Sequence, residues 1–163
     1  MIAIIRNIFI IRQSVLLLNL NFGECSSIRS DEDLIASFLS AFNILSKDIF
    51  GSSIAHINYE SYTFHFYKDL DFVNTFFIIF ADSIDETDEI NLKIEEIASL
   101  FKEKYFEFIK NFKGNTSHFS DFESILIKKK ITQNNCGKHA NCEGCPDNTQ
   151  TCEIFSIFKE KRT

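Results

Sequence analysis

The chain has 163 residues, 45% of them hydrophobic and 25% charged, which allows one sizeable core and a small appendage but hardly two full domains. A formal net charge of -6 gives no electrostatic reason to bind nucleic acid or anionic lipid over the whole surface. With only five glycines and no G-x-x-x-x-G-K-[ST], G-x-G-x-x-G or G-x-S-x-G sequence, a phosphate-cradling loop or a nucleophile elbow is not expected.

Residues 1–22 are apolar enough to raise the question of a membrane segment or a signal peptide. Arg6, Asn7, Arg12 and Gln13 interrupt them, and no apolar run approaches the roughly 20 residues that a bilayer span needs. Glu24 directly before Cys25 also speaks against a lipidated cysteine. The expectation is a cytoplasmic protein without a membrane span. Residues 4–12, "IIRNIFIIR", and 15–22, "VLLLNLNF", read instead as a hairpin around Gln13 and Ser14, with Leu16, Leu18, Leu20 and Phe22 on one face at period two.

In "SDEDLIASFLSAFNILSKDIFG", Leu34, Ile35, Phe38, Leu39, Phe42, Leu45 and Ile49 recur at helical spacing. Ser30 and Asp33 suggest a capping box, acids crowd the first turn, and Gly51 supplies a stop. Strands are expected over 53–59, 62–67 and 72–81. The last is apolar on both faces, as a central strand covered on both sides would be. From 86 to 112, Ile90, Ile94, Ile97, Ala98, Phe101, Tyr105, Phe108, Ile109 and Phe112 form a second helical stripe. Gly114 then interrupts, and "FSDFESILIKKK" adds a short third helix.

The resulting order, β-β-α-β-β-β-α-α, predicts an α/β (α+β) domain: a five-stranded, antiparallel-rich sheet with helices on both faces. Apolar periodicity stops near 130, which divides the chain into a main domain, 1–130, and a cysteine-rich tail, 131–163. Lys128, Lys129 and Lys130 read as a helix end and linker rather than a phosphate groove.

The opening hairpin, the "DEDLIASFLSAFNILSKDIFG" helix, the "NTFFIIFAD" strand and the "IEEIASLFKEKYFEFIKNFKGNTSHFSDF" end resemble the longin and roadblock superfamily, whose profilin-like sheet is flanked by helices. The likeness covers residues 4 to about 127. It is strongest to archaeal longin-like proteins in the helix end built from Phe101, Tyr105, Ile109, Phe112, Gly114, Phe119 and Phe122. It implies a non-enzymatic adaptor or regulator of a small GTPase, partnered by that GTPase or by another longin-like protein, as a homo- or heterodimer. The cysteine tail and the lack of a C-terminal transmembrane span depart from the plain longin pattern.

That tail, "CGKHANCEGCPDNTQTC", sets Cys136, Cys142, Cys145 and Cys152 at C-x5-C-x2-C-x6-C. Four thiolates can close a tetrahedral zinc site, and the Cys142–Cys145 pair with Gly144 between bends naturally around one ion. The stretch holds few apolar residues, so its order is expected to come from ligation. A [4Fe-4S] cluster is the alternative, since Pro146 after Cys145 matches the Cys-Pro of ferredoxin-type runs while the gaps do not. Zinc with four protein thiolates has no open position for catalysis. Among the remaining candidates, His56 and His65 lie on successive strands and read as an ordinary polar pair. Asp31, Glu32 and Asp33 read as helix-dipole partners, and Cys25 as an unreactive thiol. "EIFSIFKEKRT", after Cys152, offers a short apolar patch.

Overall fold

The computed structural model describes residues 3–22, 31–69, 71–72, 74–137 and 142. Strand β1 (Ile5–Arg12) turns at Gln13 and Ser14 into β2 (Val15–Asn21), and helix α1 (Glu32–Phe50) follows. Three strands come next, β3 (His56–Asn58), β4 (Tyr62–Lys68) and β5 (Thr75–Asp82), then helix α2 (Thr87–Lys110), a 3-10 turn (Ser117–Phe119) and α3 (Phe122–Lys128). The five strands form one sheet in the order β2-β1-β5-β4-β3, with every neighbouring pair antiparallel. The molecule is therefore an α+β protein of the expected element order, with β5 at the centre of the sheet.

Both ends of α1 have a local cause. Asp31, not the Ser30–Asp33 pair, caps α1: its carboxylate accepts from the backbone N–H groups of Asp33 and Leu34, at 3.1 Å each. Ser30 lies outside the described residues. Gly51, at φ +69°, closes the helix in the left-handed conformation, and its N–H reaches the Lys47 carbonyl. The expected start of β5 at Phe72 is replaced by a turn. There the Asp69 carboxylate accepts from the N–H groups of Asp71 and Phe72, so that stretch satisfies its backbone locally before pairing begins at Thr75.

Two cores result. On one face, Ile8, Ile10, Leu20, Phe77 and Ile79 pack with Ile90, Ile94, Ile97, Phe101, Tyr105 and Ile109 of α2 and with Phe119, Phe122 and Leu126. On the other, Phe9, Ile11, Phe64, Ile78 and Phe80 pack under Ala36 and Leu39 of α1, which lies over β2 and β1. Phe101 is the hub of the larger core, in ring contact with Phe77, Tyr105, Phe119 and Phe122.

Two bulges set which residues reach which core. The β1–β5 register shifts between Ile5 and Asn7, so Ile5 and Ile8 both face α2 while Arg6 occupies the bulge. In β2 the register steps from Leu18 to Leu16, leaving Leu17 as the extra residue. The expected single face of Leu16, Leu18, Leu20 and Phe22 is thereby broken. Leu16 belongs to the α1 side, and Leu17, Leu18, Leu20 and Phe22 to the α2 side. A strict period of two cannot survive an inserted residue.

Candidate interaction surface

Helix α1 is apolar on two sides. Its buried positions are Ala36, Leu39, Ser40 and Asn43, and these face the sheet. The large residues of the expected stripe point elsewhere: Leu34, Phe38, Phe42, Leu45 and Ile49 are between 44% and 64% exposed. At 3.6 residues per turn this second stripe centres roughly 150° around the helix from the sheet-facing side. Ile35, half-buried against the α1-side core, joins the two. Phe38 and Phe42 touch along the helix in a tilted arrangement, with ring centroids 5.4 Å apart.

Large apolar side chains carry about 150–250 Å² each, so the outward stripe presents on the order of 500 Å², near the upper limit for a monomer surface. Phe50, 76% exposed at the helix end, lies outside the stripe, on the side of Leu39 and Asn43. Beyond the cap residue Asp31, no charged side chain falls within the stripe. Asp33 and Lys47 lie on other sides of the helix, and Asp48 flanks the stripe's edge, as 3.6-residue spacing places them.

The start of α1 is tied to the sheet by a polar chain. Buried Asn7 donates its side-chain amide to the Asn19 and Asn21 side chains, and Asn19 donates to a Glu32 carboxylate oxygen at 3.0 Å. The acids read as dipole partners thus include one cap, Asp31, and one tether, Glu32. On the adjoining end of the sheet, Arg6 donates through Nε and a terminal nitrogen to both Asp82 oxygens, at 2.6 and 3.0 Å. Both side chains are buried, at 1% and 8% exposure, so the bidentate geometry offsets a large desolvation cost. Asp85, which accepts from the Ile4 N–H, is raised above the usual carboxylate range chiefly by burial.

Of the four tail cysteines, two fall among the described residues. Cys136 is buried against Ile4 at the start of β1, and Cys142 is half-buried. Cys145 and Cys152 lie outside the described residues, as do Cys25, His139 and 153–163. Ile131, just past the lysine run, packs into the larger core, and its carbonyl accepts from Lys93 Nζ. Among the described residues no three His, Cys, Asp or Glu side chains converge as a metal-binding group, and no helix is long and apolar enough to cross a membrane.

The two strand histidines do meet. His56 and His65 are directly opposed across β3 and β4, with ring centroids 6.4 Å apart. His65 is buried, and burial first, then the neighbouring His56, holds its pKa below the ordinary histidine value, against a hydrogen bond with Asn91.

The outward face of α1 is the feature that residue patterning missed. Its signal was present in the small residues Ala36 and Ser40, four apart, which mark the side where the backbone approaches the sheet closely. No family model matches the chain, and no curated protein matches it.

Proposed function

We propose that the chain is a non-enzymatic protein-interaction module that pairs with a second copy of itself through the outward stripe of α1. The observation that carries this reading is the layout of the stripe. Leu34, Phe38, Ala41, Phe42, Leu45 and Ile49 form a palindrome of positions: run antiparallel against itself, the helix sets Leu34 opposite Ile49, Phe38 opposite Leu45, and Ala41 opposite Phe42. An isologous two-fold interface demands that self-complementarity, and the small residue facing a ring lets the helices interdigitate. The stripe supplies more than half of the roughly 800 Å² per partner of a standard interface.

The longin and roadblock resemblance gives the pairing a context. An antiparallel sheet with α1 on one face and α2 and α3 on the other supports that kinship, and with it a role as adaptor or small-GTPase regulator in which the paired α1 helices build the platform. The net charge of -6 favours a protein partner over nucleic acid.

The tail belongs to this reading as a structural zinc site of Cys136, Cys142, Cys145 and Cys152. Cys136 and Cys142 bring two thiols of the right chemistry, one of them held against the main domain at Ile4, and the set is completed only by the two cysteines outside the described residues. When bound, zinc would order the tail.

Sedimentation equilibrium of the full chain tests the pairing. A concentration-dependent shift from 18.9 kDa toward twice that mass is expected. A species that stays monomeric up to roughly 1 mM, where even weak pairing of about 4 kcal/mol would show, overturns it.

A further inference from the structure

We infer that His56 and His65 form a two-histidine site for a divalent transition-metal ion, on the sheet face opposite α1. The two residues are directly opposed in the β3–β4 ladder. The flanking bonds, Phe66 N–H to the Ala55 carbonyl at 2.8 Å and Tyr59 N–H to the Tyr62 carbonyl at 2.7 Å, make theirs a non-hydrogen-bonded pair. In that position the side chains of an antiparallel ladder stand closest.

His65 is prepared as a ligand. The residue is only 3% exposed, yet its Nδ1 has no hydrogen-bond partner. A buried ring nitrogen without a partner is costly, and a neutral imidazole nitrogen is a common ligand of metal ions. The Asn91 side chain of α2 interacts with this ring and favours one orientation of it, as the outer partner of a metal-ligating histidine does.

His56 supplies the mobile half. It sits exposed on the edge strand, and the rings are 6.4 Å and 36° apart. Two imidazoles on one ion, each with a metal–nitrogen distance near 2.0–2.1 Å, have centroids about 5–6 Å apart, so a small rotation of His56 closes the gap. Imidazole donors select Zn²⁺, Cu²⁺ or Ni²⁺ rather than Mg²⁺ or Ca²⁺. Two protein ligands leave the remaining positions to water, so the site is open where the four-cysteine set is closed.

Zn²⁺ titration of the full chain, followed by the imidazole ¹⁵N resonances, separates this site from the tail. The cysteines take the first equivalent. Beyond it, the His65 Nδ1 and His56 ring resonances are expected to move together while the His118 ring stays in place. His56→Ala, an exposed edge substitution, should abolish the His65 movement, and Asn91→Ala should weaken binding at least about tenfold. The inference is overturned if the His65 ring does not respond to millimolar Zn²⁺, if its response survives His56→Ala, or if His118 moves equally, which would mean adventitious surface binding only. None of these outcomes depends on the pairing through α1.

Discussion

Replacing Phe38 and Phe42 together by Asp is the perturbation that bears most directly on the α1 surface. The two rings are 47% and 44% exposed, so each offers about 100 Å² to a partner, or about 2.5 kcal/mol at 25 cal/mol per Å². A two-fold interface contains each ring twice, which puts the upper limit near 10 kcal/mol. Ordering and association costs consume much of such a sum. A loss of at least about 3 kcal/mol remains, more than a hundredfold in dissociation constant.

Monomer stability should change far less. The rings lose their mutual contact and part of a helix-surface position, effects of about 1 kcal/mol, while the sheet-facing Ala36 and Leu39 are untouched. The assay is sedimentation equilibrium alongside thermal unfolding by circular dichroism. Phe106→Asp is the control, because Phe106 is comparably exposed, at 41%, but lies on α2 across the sheet. Association as tight in the double variant as in the parent chain would refute the reasoning, and so would an equal loss with Phe106→Asp.

Other consequences follow from single contacts. Gln13 and Ser14 both hold positive φ, at 48° and 67°, in the β1–β2 turn, so Q13N/S14G should raise unfolding stability by about 1 kcal/mol in a denaturant titration. Arg6→Met leaves Asp82 buried without its bidentate partner and should cost about 3–5 kcal/mol, whereas Arg6→Met with Asp82→Leu should recover much of it; equal losses would show that the ion pair is not the cause. His65 has a folded pKa below its unfolded one, so the unfolded chain binds the extra proton. Stability should therefore fall as pH drops from about 6.5 through the folded pKa, and His65→Gln should flatten that part of the profile. Cys→Ser at any of the four tail cysteines should release bound zinc, read by metal analysis, while cooperative unfolding of the main domain persists.

Much of the fold was legible because its strands and helices announce themselves by period and punctuation. Of the α2 stripe, Ile90, Ile94, Ile97, Ala98, Phe101, Tyr105 and Ile109 are buried where 3.6-residue spacing puts them while Phe108 is 49% exposed, and Gly51 stops α1 as its position suggests. The run "NTFFIIFAD", apolar on both faces, became the central strand because both of its faces meet a core. The failures have two physical sources. Bulges at Arg6 and Leu17 change parity within a strand, and nothing local marks an inserted residue when both flanks are apolar. Asp69 and Asp31 compete for backbone N–H groups through side chains whose choice among neighbouring donors depends on the final turn geometry. The histidine pair was visible as two residues on adjacent strands. Its opposed register was not, since that depends on where the turn between β3 and β4 falls.

The α1 helix shows why apolar periodicity alone cannot tell a core from an interface. A helix lying on a sheet needs one buried face, and Ala36, Leu39, Ser40 and Asn43 meet that need with small or medium side chains that permit close approach. Phe38, Phe42, Leu45 and Ile49 are then surplus to the fold. Their removal should cost the monomer little, yet leaving them in water forfeits about 25 cal/mol for every Å² that could be covered. A sequence that retains large apolar groups on a second face, spaces them as a palindrome and confines charge to the end and edge of the stripe is specified at two levels. The small residues fix where the helix sits on its own sheet, and the large ones fix what can sit on the helix.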